Sequence, residues 1–348
     1  MADLHTSAVH GDDEIGDGPD VAPPIRVSTT FDRTDQDDLV YRRYDHSTTR
    51  RLEAVMGAME GGHAVAYASG MAATSALVRR LSPSRIALPA DVYGGTKALL
   101  VSQAARGEVE LVEPAALGSG DLWWTETPSN PKCIVSDIEA ISQQAHSNGA
   151  LVAVDSTFAT PVLQNPLALG ADYVVHSTTK FIGGHSDAMG GILVSASPEE
   201  TDELRSRRDL EGAIPGSLDS WLTLRGLRTL PLRVERQSAT AQIVAEFLAN
   251  RVPKVWYPSL ADHPGHDVAA RQMRAGGGVV SFEAASGAEA VRIRDSLKLF
   301  RNATSLGGVE SVADLRADHE PDAPPELIRC SIGLEAPEDL VADLEQAL

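Results

Sequence analysis

From Ala64 to Val194 short apolar runs alternate with helical patterns, and this alternation limits what the chain folds into more than any other feature. Arg85-Ile86-Ala87-Leu88, Val109-Glu110-Leu111-Val112, Leu122-Trp123-Trp124-Thr125-Glu126, Leu151-Val152-Ala153-Val154-Asp155, Tyr173-Val174-Val175 and Gly191-Ile192-Leu193-Val194 all have the length and apolar content of strands. Between them lie an Ala-rich helical pattern opened by Ala68-Ser69-Gly70-Met71 and another after Gly94-Gly95-Thr96. A third begins at a capping box, Ser136 with Glu139, and ends at Asn148-Gly149. Strands separated by helices predict a mostly parallel sheet covered on both faces, because each crossover helix buries its apolar stripe on the sheet.

The flanks differ in character. Residues 1 to about 40, with Pro23-Pro24 and a cluster of acids between Asp32 and Asp38, have the pattern of an irregular arm, either a mobile tail or a segment lying across a partner subunit. A helix near Thr49 places Leu52, Val55, Met56 and Met59 on one face and stops at Gly61-Gly62. After Glu199 helical patterns lead to Gly226, and a long helix is predicted from about Leu232 to Ala249. Strands at Val279–Glu283 and Leu327–Ile332, flanked by helices at about 287–299 and 337–348, predict a smaller α+β unit. The expected organisation is an arm over 1–40, an α/β domain over 41–225 and an α+β domain over 226–348. A chain of 348 residues is long enough for two cores.

The net charge of −19 argues against nucleic acid and against anionic membranes as partners. It leaves room for an anionic cofactor, which local N–H groups and a few arginines suffice to hold. Cys133 and Cys330 are the only cysteines, so neither a disulfide framework nor a thiolate metal cluster is expected, and a reducing, cytoplasmic setting fits. The first residues are acidic and polar, without the basic and apolar regions of a secretory leader, and no apolar run has the length of a membrane span.

Chemistry concentrates after the strand Tyr173-Val174-Val175, in His176-Ser177-Thr178-Thr179-Lys180-Phe181-Ile182-Gly183-Gly184-His185-Ser186-Asp187. Open α/β sheets place ligands at the carboxyl ends of their strands. A lysine there, among hydroxyls, suits imine chemistry beside a phosphate, although a surface lysine in a Ser/Thr/Gly loop has the same pattern. Asp155 ends the most hydrophobic strand, where it either pairs with a buried cation or makes a turn. Ser69-Gly70-Met71 enters a helix whose first N–H groups attract phosphate, or simply starts it. Tyr93 is an aromatic ring in a Gly-rich loop, suited to stacking on a flat ligand or to packing in the loop. Arg43 is either a phosphate fork or a solvated charge, while Arg329, inside a strand, needs an anion such as a carboxylate. His176, His185 and Asp187 match no helical metal-ligand pair, and no metal is expected.

Taken in order, these motifs resemble the pyridoxal-phosphate (PLP) enzymes of the transsulfuration group, which include cystathionine γ-lyase, γ-synthase and β-lyase, methionine γ-lyase and the homoserine-ester sulfhydrylases. The likeness runs from about Tyr41 to the C-terminus, through Tyr41-x-Arg43, Ser69-Gly70-Met71-Ala72-Ala73, Tyr93-Gly94-Gly95-Thr96, Glu126-Thr127-Pro128-Ser129-Asn130-Pro131, Val154-Asp155, Ser177-Thr178-Thr179-Lys180, Gly184-His185-Ser186-Asp187, Arg225-Gly226-Leu227-Arg228-Thr229-Leu230, Ser305-Leu306-Gly307-Gly308-Val309-Glu310-Ser311 and Arg329-Cys330-Ser331-Ile332-Gly333.

The resemblance implies fold type I of the PLP-dependent transferases, with a mostly parallel seven-stranded sheet and a smaller C-terminal α+β domain. It implies that Lys180 forms an aldimine with PLP and moves protons, and that Asp155 holds the ring nitrogen protonated. Tyr93 would stack on the ring and act as an acid or base. Gly70, Met71, Ser177 and Thr179 would bind phosphate, with Ser69 and Thr157 also at the cofactor. Tyr41 and Arg43 would reach a neighbouring subunit's phosphate in a homotetramer, a dimer of dimers with shared sites. Asn130, Ser305 and Arg329 would hold the α-carboxylate of a small sulfur amino acid. The activity implied is γ-elimination or γ-replacement. Alternatives are β-elimination, sulfhydrylation of an O-acyl-homoserine, or a relative that binds PLP without turnover. Three positions depart from the family pattern. His46-Ser47-Thr48 replaces Asn-Pro-Thr, Thr304 stands where a glutamate usually meets the substrate's distal amino group, and an acidic, Pro-rich stretch (Asp318 to Pro325) replaces a Pro-Ala-Ser-Met-Thr-His-type segment.

Overall fold

A computed structural model describes residues 3–16, 20–32, 39–320 and 323–348. The first half builds a seven-stranded sheet from β1 (His63–Tyr67), β2 (Arg85–Ala87), β3 (Glu110–Val112), β4 (Leu122–Glu126), β5 (Leu151–Asp155), β6 (Tyr173–Ser177) and β7 (Gly191–Ser195). Its order is β1-β7-β6-β5-β4-β2-β3. β7 runs antiparallel to both neighbours, and the other six strands all point one way. The mostly parallel sheet expected from the alternation, with the seven strands that the resemblance implies, is therefore the observed one.

Both faces are covered. Ala64, Ala66, Val174, Ile192 and Val194 pack toward the helices Ser47–Glu60, Ser217–Leu227 and Leu230–Ala249, while Val65, Tyr67, Val175 and Leu193 pack toward the helix Gly70–Leu81. Period-2 alternation sends neighbouring residues to opposite faces, so a doubly covered strand must be apolar throughout. Each fully buried aliphatic side chain contributes roughly 1.5–3 kcal/mol.

The second half forms a five-stranded sheet from β8 (Lys254–Trp256), β9 (Val279–Glu283), β10 (Arg301–Asn302), β11 (Val312–Leu315) and β12 (Leu327–Ser331), in the order β10-β11-β12-β9-β8. Val280, Phe282, Ile328 and Cys330 face a core closed by the helices Leu230–Ala249, Gly287–Ser296 and Pro337–Ala347. Alternation turns Arg329 and its register partner Ser281 to the other face, toward the first sheet, where Ser281 Oγ donates to Pro131 O at 2.6 Å.

Three local expectations change. The first residues are not wholly irregular: Leu4–His10 is helical and Asp12, fully buried, pairs with Arg51 and Arg228 of the same chain. Most of the acid cluster, 33–38, lies outside the described residues. The capping box at Ser136 is replaced by Asp137, whose Oδ1 accepts from Ala140 N, because Ser136 N is drawn to Thr127 Oγ1. The structure also adds β1, a buried five-residue strand, and β8, β10 and β11, which at 3, 2 and 4 residues are too short to stand out in the sequence. No described helix is long and apolar enough to cross a membrane.

Candidate active site

β4, β5 and β6 are parallel neighbours, so their carboxyl ends lie side by side and bring Glu126, Asp155 and Ser177 to one edge. The chain beyond β6 bends back and presents Lys180, while β12 and the segment before β11 close the opposite side with Arg329 and Ser305. Together they enclose a cavity of about 670 Å³.

Lys180 Nζ donates to Ser305 Oγ at 2.8 Å, and Ser305 itself sits in a left-handed conformation (φ 77°). Burial first, then the guanidinium groups of Arg329 and Arg316, push the Lys180 ammonium below the ordinary lysine range. The loop behind it is held by Arg233 of the long helix, which donates to the carbonyls of Phe181 and Ile182.

Asp155 Oδ1 accepts from Thr157 N at 3.0 Å and from Thr157 Oγ1 at 2.6 Å. Thr157 Oγ1 in turn accepts from Ser177 N, which ties β5 to β6. Asp155 Oδ2 has no hydrogen-bond partner among the described residues. Burial raises the Asp155 carboxyl, and its Thr157 contacts oppose the shift. Glu126, beside it in register, is raised further, by burial and then by Asp155. Glu126 positions two neighbours, since its Oε2 accepts from Tyr93 N at 2.6 Å and its Oε1 from Asn130 N at 2.9 Å.

Ser69 caps the helix Gly70–Leu81, its Oγ accepting from Ala72 N. The first N–H groups of this helix precede any acceptor within it, and its start lies close to Ser177. A Cβ on Gly70 would lie 2.9 Å from Ser177 Cβ, closer than side chains pack. Ser69, Gly70, Met71, Tyr93, Asn130, Asp155, Thr157, Ser177, Thr179, Lys180, Ser305 and Arg329 all line the same cavity. Arg329 donates to Asn130 Oδ1, to Ser305 O and to Asp314 Oδ2. Burial lowers it to about 10, so it stays a cation at neutral pH.

Tyr41 and Arg43 lie elsewhere: Arg43 donates to Asp209 O and Tyr44 Oη and stacks on the Tyr44 ring at 4.5 Å. His176 is fully buried against Glu60 at 2.6 Å, and His185 bonds Gly183 O. These two histidines and Asp187 form no metal-holding group among the described residues. Sequence reasoning misses Arg316, His319 and Glu320, which also line the cavity. They sit at and just before the acidic, Pro-rich stretch, where no strand or helix pattern signals an inward turn.

The set fits pyridoxal phosphate. It offers a helix N-terminus and hydroxyls for an anion, a buried carboxylate with a free oxygen for a ring N–H⁺, and an amine between them. Gly70, with no side chain, lets this helix start lie close against Ser177.

The model of the Cys/Met metabolism PLP-dependent enzymes matches residues 5–348. The cystathionine gamma-synthase of Mycobacterium bovis is 42% identical over 376 aligned positions, covering 99% of this chain and 96% of that protein. The cystathionine beta-lyase of Lactococcus lactis subsp. cremoris (strain MG1363) is 38% identical over 380, covering 100% and 99%. The crystal structure of apo CalE6, a methionine gamma lyase from Micromonospora echinospora, superposes with a TM-score of 0.94 at 42% identity, covering 100% and 99%.

Proposed function

The chain belongs to the PLP-dependent enzymes of cysteine and methionine metabolism, and from that premise we propose that it carries out γ-elimination or γ-replacement on a sulfur amino acid. The observation that supports this most is that the amine of Lys180 and the free oxygen of Asp155 share one cavity with two carboxylate-ready groups, Arg329 and Ser305. Bound pyridoxal phosphate supplies an aldehyde that condenses with amines and a ring that accepts electrons released at carbon.

The chain's own residues then divide the work. Arg329, aligned by Asn130 and Asp314, binds the α-carboxylate. Burial and its guanidinium neighbours make the Lys180 ammonium easier to deprotonate, and Lys180 Nζ would take the α-proton and then a β-proton, the second loss that lets the γ-substituent leave. Tyr93, held through its backbone by Glu126, covers the cavity and gives a proton to the departing sulfur. Asp155 keeps a proton on the ring nitrogen, and Ser69, Gly70, Met71, Ser177 and Thr179 hold the phosphate.

The same proposal takes 41–225 as the cofactor-binding domain and 226–348 as the domain that closes over it. It takes the assembly as a homotetramer in which Tyr41 and Arg43, outside their own cavity, reach a neighbour's phosphate. Two buried, unpaired cysteines support a cytoplasmic setting. β-Elimination is the second reading, favoured by the beta-lyase at 38% identity.

Incubation of the holoenzyme with sulfur amino acids, followed by product identification, tests this. 2-Oxobutanoate, or a thioether formed from an activated homoserine and cysteine, is expected. Pyruvate alone moves the assignment to β-elimination, and no product from any substrate defeats catalysis.

A further inference from the structure

Lys180 sits in a compact turn. Its N donates to Ser177 O, Gly183 N donates to Thr178 O, and Gly184 N donates to Lys180 O. Phe181 O and Ile182 O accept none of these bonds, although both residues are buried. Buried carbonyls need a donor from elsewhere. Arg233, in the helix Leu230–Ala249, supplies it. Its NH1 donates to Phe181 O at 2.7 Å, and its NH2 to Ile182 O at 3.2 Å and to Gly226 O at 2.7 Å. Its Nε donates to Thr229 Oγ1 at 3.1 Å. The guanidinium is buried, with no carboxylate beside it among the described residues. It is a cation balanced by carbonyl dipoles, so what it adds is the placement of those carbonyls.

The other side of the turn is closed by the loop that carries Ser305. Gly307 (φ 80°) lies so near that a Cβ on it would strike Phe181 N and stand 2.9 Å from the carbonyl carbon of Lys180. Ser305 itself is a non-glycine residue at positive φ, a conformation that persists where the surroundings hold it. Two bonds hold this loop: Gly307 N donates to Ser331 Oγ at 2.8 Å, and Gly308 O accepts from Gln237 Nε2 at 2.8 Å. Gln237 is fully buried and stands four residues after Arg233, on the same face of the same helix. One helix face therefore grips both parts that meet at the amine. Arg233 holds the turn that carries Lys180, and Gln237 holds the loop that carries Ser305. The bond from Lys180 Nζ to Ser305 Oγ joins the two. Neither Arg233 nor Gln237 lines the cavity.

We propose that Arg233 and Gln237 are positioning residues that set where Lys180 Nζ stands, and so how readily it condenses with pyridoxal phosphate. This rests on the reading of Lys180 as the amine that takes the cofactor. The two residues act through backbone: one through the carbonyls of the turn, the other through Gly308 and Ser305.

The test measures Kd of two probes on apoprotein by calorimetry. Pyridoxal phosphate condenses with the amine, forming a C=N bond and releasing water. 4-Deoxypyridoxine 5'-phosphate keeps the ring and the phosphate but has a methyl group in place of the aldehyde. Arg233→Lys keeps the charge and loses the fork that spans the carbonyls. It is expected to raise the ratio of Kd for pyridoxal phosphate to Kd for the deoxy probe about 10-fold, as for loss of a hydrogen bond to a charged group. Gln237→Leu keeps the bulk and loses the bond to Gly308 O, and is expected to raise the ratio about 3-fold. That second effect should vanish when Ser305→Ala is already present, because it reaches the amine through Ser305. An unchanged ratio, or a parallel loss of affinity for both probes, overturns the positioning role, since a merely loosened cavity weakens both alike. A Gln237→Leu effect that persists in full beside Ser305→Ala overturns its part. Should Arg233→Lys not fold, the Gln237→Leu ratio decides. Borohydride reduction of the wild-type holoenzyme and peptide mapping separate the two readings. Cofactor on Lys180 with an unchanged ratio removes the positioning role alone, whereas cofactor on another lysine removes the reading of Lys180 and the proposal with it.

Discussion

Lys180 carries opposing demands in a single side chain. In the role proposed for it, it must be buried enough to lose its proton readily, yet burial of an ammonium is costly in a protein that lacks its cofactor. Burial, Arg329 and Arg316 all lower its pKa from 10.5. The unfolded chain then binds more protons than the folded one between the lowered value and 10.5, so this residue's contribution to stability rises with pH across that window. Lys180→Met is therefore expected to stabilise the cofactor-free protein near neutral pH. The gain should shrink as pH approaches 10.5, and the variant should lose turnover. Urea unfolding of apoprotein at about pH 7 and about pH 10 measures this; a gain that is flat or grows with pH contradicts it. The lysine's importance is legible in its hydroxyl-rich setting after an apolar strand. Its partner Ser305 lies 125 residues away in sequence, and no local pattern links the two.

At the scale of elements, the site depends on how closely the start of the helix Gly70–Leu81 approaches the end of β6. Both are placed by the sheet, and the space between them is set by the absent side chain of Gly70. Gly70→Ala puts a Cβ 2.9 Å from Ser177 Cβ, so one element must shift. Cofactor affinity is expected to fall at least ~10-fold, or about 1.4 kcal/mol, with little change in secondary structure. Titration of pyridoxal phosphate into apoprotein, followed by its visible band, provides the measurement; wild-type affinity would rule out a tight gap. The same scale explains why sequence patterns find the main strands and miss several smaller ones. β4, β5 and β6 are largely buried and rich in apolar residues, whereas β10 is two exposed residues held only by its neighbour. The cap falls at Asp137, one residue beyond the expected Ser136, because Thr127, a neighbour in space, claims Ser136 N.

For the whole molecule, the cavity exists because one face of the second sheet lies against the loop that follows β4. Alternation along β12 sends Ile328 and Cys330 into one core and Arg329 out toward the other sheet, where Asn130 meets it. A larger assembly is proposed to complete the site through Tyr41 and Arg43. If so, mixing and co-refolding two inactive variants, Arg43→Ala and Lys180→Ala, rebuilds intact sites in hybrids. Random pairing with one native site per hybrid dimer predicts recovery of about one quarter of wild-type activity. Activity that stays at the level of the separate variants, or a wild-type enzyme that sediments as an active monomer, would remove the shared-site proposal.

The order of apolar runs, helix patterns and Gly-rich turns by itself determined the parallel sheet and the strand ends at which chemistry gathers; it made Lys180, Asp155 and Arg329 candidates, and the resemblance to a family gave them roles. These are local matters: period, burial and turn chemistry are written in consecutive residues. Only the tertiary structure decided that Arg316 and Glu320 turn inward beside an acidic, Pro-rich stretch, that Glu126 positions Tyr93 and Asn130, and that Asp314 joins two guanidinium groups. Each of those depends on strands and turns from different parts of the chain meeting within hydrogen-bond reach, a closeness set by packing two cores together rather than by any spacing along the sequence.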